Sequence, residues 1–156
     1  MLKTNVLSRS FSRPRGGQTD EGTLLGIQFI TAVNDYILQD AGHFRLSRTS
    51  YQQGVVILRR LVDEERDLST KAVLERNVVE FDTVVQELSL KAADETMKMA
   101  LTMDEAKSPE SIDLYLAAAE LYIAYKRYLD SRGEDSTAIK SRAQKILDRV
   151  SELKGM

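Results

Sequence analysis

The chain holds one histidine, His43, and no cysteine. Nucleophilic catalysis requires a serine, cysteine or lysine beside a base. The only histidine sits in DAGHFRLS (40–47), a stretch that reads as a loop. The glycines fit no phosphate cradle: Gly16 and Gly17 are adjacent near the start, and Gly22, Gly26, Gly42, Gly54, Gly133 and Gly155 are isolated. Neither a Walker loop nor a dinucleotide fingerprint can be assembled from them. The acidic run Asp63, Glu64, Glu65 and Asp67 lacks the turn glycine and alternating ligands of a calcium loop, so it reads as a solvated helix end. No catalytic residue, metal ligand or cofactor is nominated, and the expectation is a protein that is not an enzyme and works by binding.

Charge narrows the partners. Residues 1–20 carry Lys3, Arg9, Arg13 and Arg15 against Asp20 alone, whereas the rest of the chain is mildly acidic, for a net charge of -2. No basic face of the kind nucleic acid demands is present. No apolar run approaches the roughly 18 residues of a membrane span, and MLKTNVLSRS lacks the apolar core of a secretory signal. With no cysteine to form a disulfide, the expected setting is the reducing cytoplasm.

From Thr23 to Pro109 there is no proline, and apolar residues recur three and four apart, the spacing of amphipathic helices rather than strands. Breaks are expected at 40–47, near 63–70, around 89–94, at 104–111 and at 130–137. These segments repeat. Asp40 and Tyr51 match Asp104 and Tyr115 at a shift of 64. Leu74, Val78, Phe81, Val85 and Leu88 match Ile139, Ala143, Ile146, Val150 and Leu153 at a shift of 65. The reading is an all-α protein of two tandem antiparallel three-helix units, 21–90 and 91–156, behind a basic disordered tail, 1–20. Helix two of each unit is expected at about 48–66 or 109–130, and helix three at about 70–90 or 137–154. The linking LSLKAADE has no Gly or Pro, so helix three of the first copy is expected to run nearly straight into helix one of the second. Ser47, Ser69, Ser108 and Ser136 are the expected N-caps.

Helix two of the second copy, IDLYLAAAELYIAYKRYL, is apolar on more than one face. Leu116 and Ile123, seven apart, fall on a side with no obvious neighbour. In the closing KILDRVSELK (145–154), Leu147 likewise points off the core stripe Ile146, Val150 and Leu153.

Two units of about 65 residues, each with an Asp closing helix one and a Tyr four residues into helix two, resemble a pair of microtubule-interacting and trafficking (MIT) domains. DEAKSPESIDLYLAAAELYI is similar to that family's passage from helix one into helix two, and KSRAQKILDRVSELK to its closing pattern Tyr-Leu-x-Arg-Ala-Glu-x-Leu-Lys. The resemblance implies three-helix bundles without catalytic activity whose grooves take up tail peptides of ESCRT-III subunits or autophagy scaffolds. One family mode lays an amphipathic helix between helices two and three; another places an extended segment between helices one and three. Carried over, the groove leucine falls on Leu147, the next acidic residue on Asp148 and the arginine on Arg149. The family's glutamate becomes Ser151, and Val150 replaces an alanine. The nominated peptide groove is therefore Leu116, Ile123 and Leu147, with Asp148, Ser151 and Glu152 at its rim. In the first copy, FDTVVQELS, Asp82 takes the place of the groove leucine.

This implies an adaptor that reaches endosomal or autophagic membranes only through its partners. The competing reading is a structural helical dimerisation or kinase-tail regulatory module. In the tail, RSFSRP (9–14) resembles a phosphoserine ligand of the 14-3-3 adaptors, with Ser12 as the phosphate acceptor and Arg9 three residues before it. Residues 1–19, without an acid and with Leu2, Val6, Leu7 and Phe11 on one helical side, also fit a cleaved mitochondrial presequence.

Overall fold

The computed structural model describes residues 42–155, and every regular element among them is an α-helix. These are α1 (Phe44–Glu64), α2 (Leu68–Glu105), α3 (Glu110–Ser131) and α4 (Thr137–Lys154). The tail with Ser12 and the helix expected to close at Asp40 lie outside the described residues. The chain divides into two compact units, Met1–Val85 and Gln86–Met156, with the boundary inside α2. The break expected around 89–94 is absent. SLKAAD lies within α2, where nothing in the sequence interrupts helix propagation and Ala92 and Ala93 are fully buried.

In the first unit, α1 buries Ser47, Tyr51, Gly54, Val55, Leu58 and Leu61 along one stripe, the three-and-four spacing that keeps one face inward. Facing them, α2 supplies Leu74, Phe81, Val84 and Val85, all buried. The Tyr51 and Phe81 rings meet edge to face at 5.0 Å, the arrangement that sets a positive ring edge against a negative face. Gly54 admits this ring, since a Cβ there would lie 2.6 Å from Phe81 Cε2.

The acidic run between α1 and α2 is not simply solvated. Glu65 is buried, and its Oε1 accepts the backbone N–H groups of Arg66 and Asp67, each at 3.1 Å. Asp67 Oδ2 accepts the Thr70 N–H at 3.0 Å and the Thr70 hydroxyl at 2.7 Å. Asp67, not Ser69, therefore satisfies the start of α2. Ser47 is no cap either, because α1 begins three residues earlier and encloses it.

In the second unit, α4 buries Ile139, Ala143, Ile146 and Val150, and α3 buries Tyr115, Ala118, Ala119, Tyr122 and Leu129. These form one core with Ala93 and Ala100 of α2. The alanines let the helix backbones approach, while each buried isoleucine or valine contributes about 1.5–3 kcal/mol.

Both connections in this unit are built alike. At the end of α2 the Ser108 N–H bonds the Met103 carbonyl at 2.9 Å, and at the end of α3 the Glu134 N–H bonds the Leu129 carbonyl at 2.9 Å. Each closure places one residue at positive φ, Lys107 at 58° and Gly133 at 69°, the left-handed stop that ends many helices. Ser108 Oγ then accepts the Glu110 N–H at 3.3 Å. At α4, Ser136 stands at the cap position but its hydroxyl bonds Asp130 instead, at 2.6 Å. Asp135 Oδ1 takes the Thr137 N–H at 3.0 Å.

Candidate peptide-binding groove

Three helical segments of the second unit are tied together by two Asp–Tyr–Arg groups. Tyr115 on α3 donates its hydroxyl to Asp104 Oδ2 on α2 at 2.6 Å. Arg149 on α4 grips the same carboxylate with both prongs, Nε to Oδ2 and Nη2 to Oδ1, each at 2.8 Å. At the other end Tyr122 donates to Asp94 Oδ1, and Arg142 Nη1 lies 3.9 Å from that oxygen. Going from the first group to the second moves forward along α3 and backward along α2 and α4. Hence α3 runs antiparallel to the other two, and α2 and α4 run in the same direction.

The electrostatics follow from these partners. The Arg149 guanidinium, helped by the Tyr115 hydroxyl, holds the Asp104 carboxyl down at about 2, because hydrogen bonds and a positive neighbour favour the charged form. Arg149 is pushed up in turn. Burial, reinforced by the adjacent carboxylates, pushes the Tyr115 and Tyr122 hydroxyls up to about 12. At neutral pH both phenols are therefore neutral donors, and Tyr115 donates to an ionised Asp104.

Between the two groups lies a cavity of about 700 Å³, within the size range of ligand sites. Its floor is Tyr115 and Tyr122, only 2% and 3% exposed. Its α2 wall is Met97 and Leu101, the latter 44% exposed, and its α4 wall is Ile146 with Lys145. A smaller cavity of about 420 Å³ continues past Asp104 and Arg149 to Pro109, Ile112 and Leu153.

The nominated residues lie elsewhere in this unit. Leu116 and Ile123 on α3 and Leu147 on α4 are half-buried and pack against the core, and none of them lines the 700 Å³ cavity. Asp148 is exposed and accepts the Gln144 amide at 3.0 Å. Ser151 is exposed, and Glu152 accepts Arg149 Nη1 at 2.9 Å. Arg149 thus joins the Glu152 rim to Asp104 on α2. Asp94, Tyr122 and Arg142 were not nominated. Their signal was present as the heptad spacings Tyr115/Tyr122 and Arg142/Arg149 together with Asp94/Asp104, but it becomes meaningful only once the three helices are placed side by side.

No protein-family model, curated protein or solved structure matches the chain. Among the described residues no three His, Asp or Glu side chains converge to hold a metal ion, and no described helix is long and apolar enough to cross a membrane.

Proposed function

We propose that the chain is a non-enzymatic adaptor made of two MIT-like three-helix bundles, and that its second unit binds a short tail segment of an ESCRT-III subunit or autophagy scaffold between α2 and α4. The observation that carries this reading is the cavity itself: an apolar trough with two buried tyrosines on its floor and the exposed Leu101 on its wall. Burying such a surface is favourable and needs no chemistry from the protein. In the resembled family this is the position between helices one and three, the mode that accepts an extended segment. The choice of tail class rests on that resemblance. Membrane localisation then follows from the partner rather than from a span of this chain. Short segments in such sites typically bind with micromolar affinity, about -8 kcal/mol at one micromolar.

An array of ESCRT-III and autophagy-scaffold tail peptides probed with the full chain tests the proposal. Leu101→Asp should abolish binding while leaving the melting temperature nearly unchanged, since this side chain is 44% exposed. Leu147→Asp is the companion variant. If it abolishes binding without unfolding the unit while Leu101→Asp binds normally, the peptide lies between α3 and α4 and the α2–α4 assignment is wrong.

A further inference from the structure

The two Asp–Tyr–Arg groups limit what the cavity can hold. Asp94 and Asp104 are ten residues apart on α2, and Arg142 and Arg149 are seven apart on α4. At 1.5 Å per residue those intervals are about 15 Å and about 10 Å. An extended chain covers that distance in about three to five residues at ~3.3 Å each. A short extended segment with alternate side chains turned towards Tyr115 and Tyr122 matches that length.

The charge of the lining points to the segment's composition. Asp94 and Asp104 face Arg142, Lys145 and Arg149, two acids against three bases. Arg149 is committed to Asp104 in bidentate fashion, and Arg142 lies beside Asp94. Lys145, exposed midway between the two arginines on α4, forms no ion pair with a described residue. Arg149 is also shared with Glu152, just outside the trough, so the cation of the lining that has no ion pair with a described residue is Lys145, at the middle of the rim.

We infer that the groove selects an extended segment of three to five residues in which apolar side chains at alternate positions fill the trough and an intervening carboxylate pairs with Lys145. This rests on the α2–α4 groove proposed above and adds to it the length and the charge of the occupant. A carboxylate at the rim balances the lone cation, whereas a lysine there adds to it. A partly exposed pair of this kind is worth little in itself, so its signature is a preference of about three- to tenfold rather than an absolute requirement.

The test titrates the full chain, labelled at methionine and isoleucine methyls, with two capped pentapeptides, Leu-Glu-Leu-Ser-Leu and Leu-Lys-Leu-Ser-Leu, up to millimolar concentration. The expected result is that the Met97 and Ile146 methyl signals move with the Glu peptide at about three- to tenfold lower concentration than with the Lys peptide. Lys145→Glu should invert that order, and Lys145→Gln should abolish it. Lys145 is exposed, so unchanged core methyl signals in both variants will verify folding. Equal titration by both peptides, or a preference that survives Lys145→Glu, overturns the charge inference while leaving the groove intact. If neither peptide moves either methyl, both the inference and the groove beneath it are wrong.

Discussion

Gly54 offers the sharpest test of how the first unit packs. Replacing it with alanine puts a methyl carbon 2.6 Å from Phe81 Cε2 and 2.8 Å from Cδ2, far inside carbon–carbon contact. The ring has little freedom to retreat, because Phe81 is 1% exposed and its other contacts include the edge-to-face pair with Tyr51 at 5.0 Å. Overpacking of this kind costs about 1–3 kcal/mol. Alanine also returns about 1 kcal/mol, since glycine is the poorer residue within a helix. The balance is a net loss of up to about 2 kcal/mol, as much as a thirtyfold fall in the folded-to-unfolded ratio. Urea denaturation of the wild type and Gly54→Ala measures it. The Gly54→Ala/Phe81→Leu double variant then isolates the clash: against a Phe81→Leu background the alanine should become neutral or stabilising. A stabilised Gly54→Ala single variant, or equal destabilisation in both backgrounds, would refute the close approach of α1 and α2 described here.

Alongside the loss of peptide binding in Leu101→Asp and the inverted charge preference in Lys145→Glu, two further outcomes follow from the second unit. Asp104 has its carboxyl held at about 2 against an ordinary value of 3.8, so the unfolded chain takes up its proton first as pH falls. Its contribution to stability is complete above about pH 4 and is lost on descending to about pH 2; urea midpoints between pH 2 and 5 should slope less steeply in Asp104→Asn, and an unchanged slope would show that the Arg149 grip is not formed in solution. Lys107 holds a φ of 58° without being glycine. Lys107→Gly should therefore raise stability by up to about 1 kcal/mol in thermal or urea unfolding, and a loss would mean that the lysine side chain does more at the end of α2 than the backbone requires.

The helical character of the described chain was legible from residue types alone. The expected second and third helices of the second copy, about 109–130 and 137–154, lie within a residue of α3 and α4, because the loops beside them carry strong signals in Ser108–Pro109 and Gly133. The repeat alignment also carried burial information, since Tyr51 and Tyr115, Phe81 and Ile146, and Val85 and Val150 are buried in both members of each pair. Helix ends were less legible. A serine before a helix is a generic cap, and only coordinates reveal that Asp67 and Asp135 take the free N–H groups while the Ser136 hydroxyl turns to Asp130.

The groove was the least legible of all. Apolar excess on α3 marked Leu116 and Ile123 as unusual, yet half-burial against the core accounts for part of that excess. In the sequence Tyr115, Ile146 and Arg149 read as a repeat position, a core residue and a pattern arginine. That they line one cavity with Asp94 and Lys145 depends on the side-by-side placement of α2 and α4. By itself the sequence determined an all-helical body, since three-and-four periodicity is a local property of the chain. Which polar residues pair across 45 positions, as Arg149 does with Asp104, is decided by how helices pack, and the tertiary structure alone turns two ordinary heptad spacings and one of ten residues into the two ends of a cavity.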